Sequence, residues 1–389
     1  MSRKQFLLVL GVLAILVAAA AGVVLSERES GSQGAEARVG QKVVPGLKVS
    51  EVAEIVIRDE SGELHLTRAE RAWKLREREG FPADLDRVGE LLLKLAELKV
   101  VQAEPLPDSQ RARLLLLEPR AAKGTKDTGT VLELKDAKGA ALAHLLLGKK
   151  VFRKAEIAAL GGRDEGLPSG RYLLAVPDGK AASGTMIVVS DPFANVEPKA
   201  DLWLSKDLIR AERVKSIQSF GPDGRQRWML VRDDDGAEWR LAGSKETPDL
   251  QKAQDASGSF SWMNLLDVVV DPAHTETGLS RAVMVKAETF DKLTYTVRIG
   301  AKTGDSYYVA LSVAGDPPKS RTPAAGEKPE DKEKKDKEFE EQRKKLVAQL
   351  EREKALEQWR YVVAKIGVEP LLRERAEMLA PKKSAAKKR

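Results

Sequence analysis

The chain has 389 residues, 42 % of them hydrophobic, which is enough for two or three domains with real cores and too many for a disordered chain. Cysteine is absent and histidine occurs three times, so disulfide frameworks and thiolate chemistry are excluded and little is left for a zinc site. The net charge of +7 raises a nucleic-acid reading that the chain's start argues against.

The basic Met1-Ser2-Arg3-Lys4 (cytoplasmic residues 1–5) leads into Phe6 to Leu25, twenty positions without a charge or proline. At about 1.5 Å per residue this run spans roughly 30 Å, a bilayer's hydrocarbon core. Arg3 and Lys4 precede it and Glu27-Arg28-Glu29 follows, so the positive-inside rule keeps the N-terminus in the cytoplasm and exports the rest. The expected location is a bacterial inner membrane, single-pass, with the bulk of the chain periplasmic. A cleaved signal peptide is the alternative, since Ala18-Ala19-Ala20-Ala21-Gly22 offers a cutting site. No Cys follows, which excludes a lipoprotein.

Residues 26–46 read as a flexible spacer, with folded structure from about Leu47. Ile55-Val56-Ile57, Leu64-His65-Leu66 and Trp73-Lys74-Leu75, separated by polar turns, predict an antiparallel meander. Asp84 then caps a helix carrying Leu85, Val88, Leu92, Leu95 and Leu98 on one face.

The same order recurs. Trp73 and Trp239 each precede a proline by nine residues (Pro82, Pro248), and each proline leads to Asp-Leu and a helical segment. The first segment runs towards Leu95–Val101 and the second towards Leu265-Leu266-Asp267-Val268-Val269-Val270. Val131 and Val283 each precede a glycine by seventeen residues (Gly148, Gly300), and Tyr172-Leu173-Leu174 answers Tyr307-Tyr308-Val309. The expected fold class is α+β, as two tandem modules of meander plus helix at 47–207 and 208–380, behind an N-terminal transmembrane helix. Two unrelated domains sharing ordinary hairpin turns are the alternative.

A charged insertion at about 315–358 interrupts the second module. It opens with Pro317, Pro318, Pro323 and Pro329. Across 327–358 eleven acids nearly cancel ten bases, as in a solvated helix about 40 Å long. Trp359–Val363 returns to strand character, and a last helix through Leu371, Leu372, Ala376 and Leu379 is expected to stop at Pro381. Residues 381–389 are a basic tail with Lys382, Lys383, Lys387, Lys388 and Arg389, suited to solvation or to contact with an anionic polymer or lipid.

No catalytic, cofactor-binding or metal-ligating residues emerge. His65, His144 and His274 lack partners at ligand spacing. Asp233-Asp234-Asp235-Gly236 misses the later glutamate of a calcium loop and reads as a hairpin turn. Gly161–Gly166 has no phosphate-loop spacing and Ser257-Gly258-Ser259 no nucleophile elbow. Trp73, Trp228, Trp239, Trp262 and Trp359 suggest a sugar-stacking platform, although Trp73 and Trp239 fit core positions closing each meander.

Taken together, the N-terminal span, the Trp-x-Leu strands, the Pro-Asp-Leu helix starts, the apolar-Gly strand ends and the Asp201–Leu208 module end resemble an uncharacterised bacterial family of single-span exported proteins. Leu117-Glu118-Pro119 and Gly278-Leu279-Ser280 also fit that pattern, whereas the charged insertion departs from its shorter members. Members are often encoded beside auxiliary components of gliding-motility-type ABC transporters. The resemblance therefore implies an accessory role in an envelope assembly, with ABC transporter subunits as partners, and it supplies no catalytic residues; export argues against a nucleic-acid partner. A non-enzymatic protein-binding scaffold is the leading expectation. A periplasmic module for cell-wall glycan or anionic polymer is second, and an enzyme with clustered acids in one pocket third.

Overall fold

The computed structural model describes residues 38–70, 72–119, 126–153, 167–175, 185–271, 275–323 and 327–381. The apolar run at 6–25, His274 and Gly161–Gly166 lie outside these residues, as does the basic tail beyond Pro381. Among the described residues no helix is long and apolar enough to cross a membrane. The chain is α+β, built mostly of antiparallel sheet with few helices, and divides into two compact units between Trp203 and Leu204.

In the first unit, alternation of apolar and polar residues builds the meander β1 (Glu54–Asp59), β2 (Gly62–Ala69), β3 (Ala72–Leu75) and β4 (Phe81–Pro82). Ile55 faces Leu66 and Ile57 faces Leu64, which sets one buried row. At the first turn the Ser61 amide donates to the Asp59 carboxylate. Helix α1 (Leu85–Glu97) starts where Asp84 accepts the amides of Asp86 and Arg87, and it buries Val88, Leu91, Leu92 and Leu95. The chain then forms β5 (Gln102–Pro105), crosses the sheet through 106–118, and adds β6 (Thr130–Lys135), β7 (Ala141–Arg153), β8 (Leu167–Ala175) and β9 (Thr185–Val189). The strand order is β4-β3-β2-β1-β6-β7-β8-β9-β5. Leu106 and Leu116 of the crossing segment bury Val131, Leu146, Leu174 and Met186 on one half of the face that also carries His65 and His144.

In the second unit, β10 (Val214–Phe220), β11 (Gln226–Val231) and β12 (Arg240–Leu241) precede α2 (Leu250–Gly258), which Asp249 caps through Gln251 and Lys252. The sheet continues with β13 (Leu265–Val268), β14 (Val283–Thr289), β15 (Leu293–Thr303), β16 (Ser306–Gly315) and β17 (Tyr361–Ala364). Its order is β12-β11-β10-β14-β15-β16-β17-β13. Between β16 and β17 stands α3 (Pro329–Ala355), and after β17 come α4 (Lys365–Leu372) and a 3-10 turn, Arg375–Met378.

Several expectations are corrected. Order begins well before Leu47: Val43 and Val44 are buried, and Gly40 and Val43 donate to the carbonyls of Val100 and Leu98. The second helical segment does not run to Val270. It ends at Gly258, and Leu265–Val268 pairs with β17, because an open sheet edge offers Leu265 and Val268 both burial and hydrogen bonds. The first helix likewise stops at Glu97. The final helix breaks after Leu372, where the Arg373 carbonyl accepts the Trp228 indole N–H, and a Glu374/Glu377 capping box starts a new turn. Nor is α3 solvated throughout. Leu350 is buried, as is Leu356 just past its end, and the buried Glu353 carboxylate accepts the Arg210 amide at 2.9 Å and the Gln349 amide at 3.0 Å.

Candidate functional site

The first unit holds a cleft of about 330 Å³ between α1 and the loop that follows β9. Its floor is apolar and buried: Leu91, Phe193, Val196 and Trp203. Its rim is polar: Arg87, Glu90, Lys94, Asp191 and Asn195. An apolar floor under a few convergent polar groups is the usual form of a ligand or side-chain pocket.

The floor is held open from behind. Arg171 on β8 is buried; its Nε donates to the Gly148 carbonyl at 2.8 Å and its Nη1 to the Phe193 carbonyl at 3.0 Å. Among the described residues it has no ion-pair partner, and burial pushes its guanidinium down to about 10, against a weaker pull upward from Glu197. The Asp191 carboxylate accepts the Phe193 amide at 2.7 Å. Phe193 takes a left-handed φ of 45°, which costs about 1–2 kcal/mol in a non-glycine residue and persists because both of its backbone polar groups are tied. Trp203 closes the other wall: its indole N–H donates to the Glu197 carbonyl, and its own carbonyl accepts the Asp84 amide at 2.8 Å.

On the rim, Lys94 bridges Glu90 at 2.9 Å and Asp191 at 3.2 Å. These carboxylates, Glu90 foremost, hold its ammonium above the ordinary lysine value against a smaller opposing effect of burial. With the Lys94 side chain 45 % and that of Glu90 63 % exposed, the pair is a solvent-facing bridge of small energetic weight that an incoming group can displace.

His65 and His144 lie elsewhere in the same unit. His65 and His144 end one cross-strand row, His65–Val56–Glu133–His144. His65 sits between Glu77 at 2.6 Å and Glu63 at 3.0 Å, and His144 lies 3.3 Å from Glu118. Among the described residues no three His, Asp or Glu side chains are placed to hold a metal ion. The triple aspartate is a turn whose Asp233 and Asp235 pair with Arg240 and Arg232. Ser257–Ser259 ends α2. The tryptophans are not brought together into a platform: Trp73, Trp228 and Trp239 are buried, whereas Trp262 is 80 % exposed. Trp239 also lies beneath the Arg232 guanidinium, 4.8 Å from ring centroid to cation.

The cleft has no signature in the sequence. Arg171, Phe193 and Trp203 carry no shared motif, and they are brought together by long-range hydrogen bonds, from Arg171 to the Phe193 carbonyl and from the Asp84 amide to the Trp203 carbonyl. The chain matches no family model, no curated protein and no solved structure.

Proposed function

We propose that the chain is a non-enzymatic scaffold of the bacterial envelope. In this reading two copies of one α+β module, tethered to the inner membrane by the apolar run at 6–25, present protein-binding surfaces to an export or motility-related ABC-type complex. The observation that carries it is the path of the two sheets. Without β4, the first order becomes the second when β3, β2, β1, β6, β7, β8, β9 and β5 are read as β12, β11, β10, β14, β15, β16, β17 and β13.

Local devices repeat with it. Asp84 and Asp249 both cap the module's helix, and both donate their amide at 2.8 Å to the last part of the module, Trp203 and Met378. Gly148 and Gly300 both lie under the crossing segment, where a Cβ would meet the Leu114 or Thr277 carbonyl at 2.5 or 2.2 Å. The next amide in each case donates to that same carbonyl at 2.8 Å. Duplicated modules with divergent surfaces suit an adaptor that holds more than one partner. The partner class and the membrane attachment rest on the N-terminal sequence and the family resemblance.

A mild-detergent pull-down of the C-terminally tagged full chain from native membranes, with N-terminal sequencing of the bait, tests this reading. An intact N-terminus with ABC transporter subunits as companions is expected. A bait cut after Ala18–Ala21 and free of protein companions rejects it and favours the soluble polymer-binding alternative, to be checked by co-sedimentation with purified sacculi.

A further inference from the structure

The hairpin of β7 and β8 runs past its neighbours in the first sheet. Val189, the last residue of β9, pairs with Arg171, and Thr130, the first of β6, pairs with Leu147. Beyond those limits Val151, Phe152 and Arg153 pair only with Gly170, Pro168 and Leu167, so the two strands leave the sheet as an arm. Phe152 is 50 % and Leu167 72 % exposed. Every charge on the described arm is basic: Lys149, Lys150 and Arg153, with the buried Arg171 at its base. The corresponding hairpin of the second unit, β15 and β16, turns through Gly304 and Asp305, and β17 pairs with β16 back to its first residue, Ser306. The arm is therefore an addition of the first unit, and its apolar side chains among bases serve no core.

The arm leaves from the end of the sheet at which the chain enters the fold. β5 starts there, since Gln102 pairs with Val188 and the Val101 amide donates to the Val188 carbonyl. The incoming chain lies against that start, with the Gly40 amide donating to the Val100 carbonyl and Lys42 paired with Lys99. Val39 and Val101 are exposed at this point beside Arg38 and Lys99. β5 and β8 are two strand spacings apart, about 10 Å. In the anchored reading the membrane span ends at Leu25, and the chain from there to Arg38 reaches at most about 45 Å.

We infer that this end of the first unit is a bilayer-contact surface that seats on anionic phospholipid headgroups, with Phe152 and Leu167 entering the interface and Lys149, Arg153, Lys99 and Arg38 meeting the phosphates. The inference rests on the membrane anchor proposed above. Each base near an anionic surface favours contact about fivefold, and a tether already holding the unit at the bilayer lets so small a patch suffice.

The chain has no cysteine, so Leu167→Cys carries a single bimane label, and Lys138→Cys, in the β6–β7 turn at the opposite end of the sheet, is the reference. Both positions are exposed, so neither label disturbs the core. The labelled full-length chains are placed in nanodiscs of phosphatidylcholine with roughly one phosphatidylglycerol in three lipids, with and without a nitroxide-headgroup lipid as quencher. The label at Leu167→Cys should be quenched roughly threefold more than the reference. Lys149→Glu combined with Arg153→Glu, or discs of phosphatidylcholine alone, should bring it down to the reference. Equal quenching at the two positions, or a difference that either charge reversal or neutral lipid leaves in place, overturns the inference. Carbonate extraction of native membranes separates it from the anchor. A carbonate-resistant chain whose Leu167→Cys label is quenched no more than the reference keeps the anchor and loses the contact surface; a chain that carbonate washes off loses the anchored reading, and this inference with it.

Discussion

The helix flanks of the two units differ in a way that follows from side-chain size. Helix α2 presents Ala253 and Ala256 where α1 presents Val88 and Leu91. Small residues let α4 lie close to α2, and Gly367 lets α4 also approach the segment before β13, since a Cβ there would sit 3.1 Å from the Asn264 amide. Bulkier residues on α1 hold its neighbour off. The chain after β9 meets them as a loop tied by Arg171 and Asp191, and a cleft remains. One unit therefore covers its helix with a second helix, whereas the other covers it with a loop that buries Phe193 and Val196 and leaves a cleft beside them. The second unit also carries α3, whose exposed first turns have no counterpart among the described residues of the first.

The largest expected effect tests whether one flank is filled and the other open. Leu371→Ala removes a wholly buried side chain from a closed interface and should lower the unfolding free energy by about 2–5 kcal/mol. Leu91→Ala enlarges a cleft that water already reaches, so its cost should fall at about the low end of that range. Urea melts of the full-length variants measure both, and equal losses would remove the distinction between the flanks.

A smaller effect concerns the insertion. Glu353→Ala leaves the Arg210 amide without its acceptor, while Gln349 keeps the Arg210 carbonyl, and should cost about 1–3 kcal/mol, read as faster limited proteolysis within α3. Glu353→Gln keeps an acceptor oxygen and should lose less. Equal cleavage of both variants and the native chain would show that α3 is held without Glu353, by Leu350 and the Gln349 amide.

What was legible in the sequence was whatever local chemistry decides. Asp84 and Asp249 start their helices because a carboxylate before a helical run satisfies free amides, whatever lies elsewhere in the chain. Alternation around Ile55, Leu64 and Trp73 marked the strands of the meander. The illegible parts were decided at a distance. Leu265–Val268 reads equally well as a helix end or a strand until β17, about a hundred residues later in sequence, offers an edge to pair with. Val43 and Val44 look like spacer until Leu98 and Val100 supply backbone partners. The cleft was the least legible of all, since a volume left unfilled has no sequence signal of its own.

The smallest expected effect sharpens the comparison through pH. The Asp255 carboxyl is held below its ordinary value of 3.8, first by the hydrogen bond from Gln251 and then by Arg373, against an opposing effect of burial. A carboxylate lowered in the folded state contributes stability that is complete above the unfolded value and is lost as pH falls through the folded one. The second unit should therefore lose stability below about pH 4 in a component that Asp255→Asn abolishes and Arg373→Met only reduces, because Gln251 remains. The group is a third exposed, so the loss should stay near 0.5 kcal/mol. Added salt should shrink the share that Arg373→Met removes and leave the Gln251 share in place, since screening weakens the ion pair more than the neutral hydrogen bond. If salt and Arg373→Met both leave the acid limb unchanged, Arg373 holds α2 through its hydrogen bond to the Lys252 carbonyl and not through the Asp255 carboxylate.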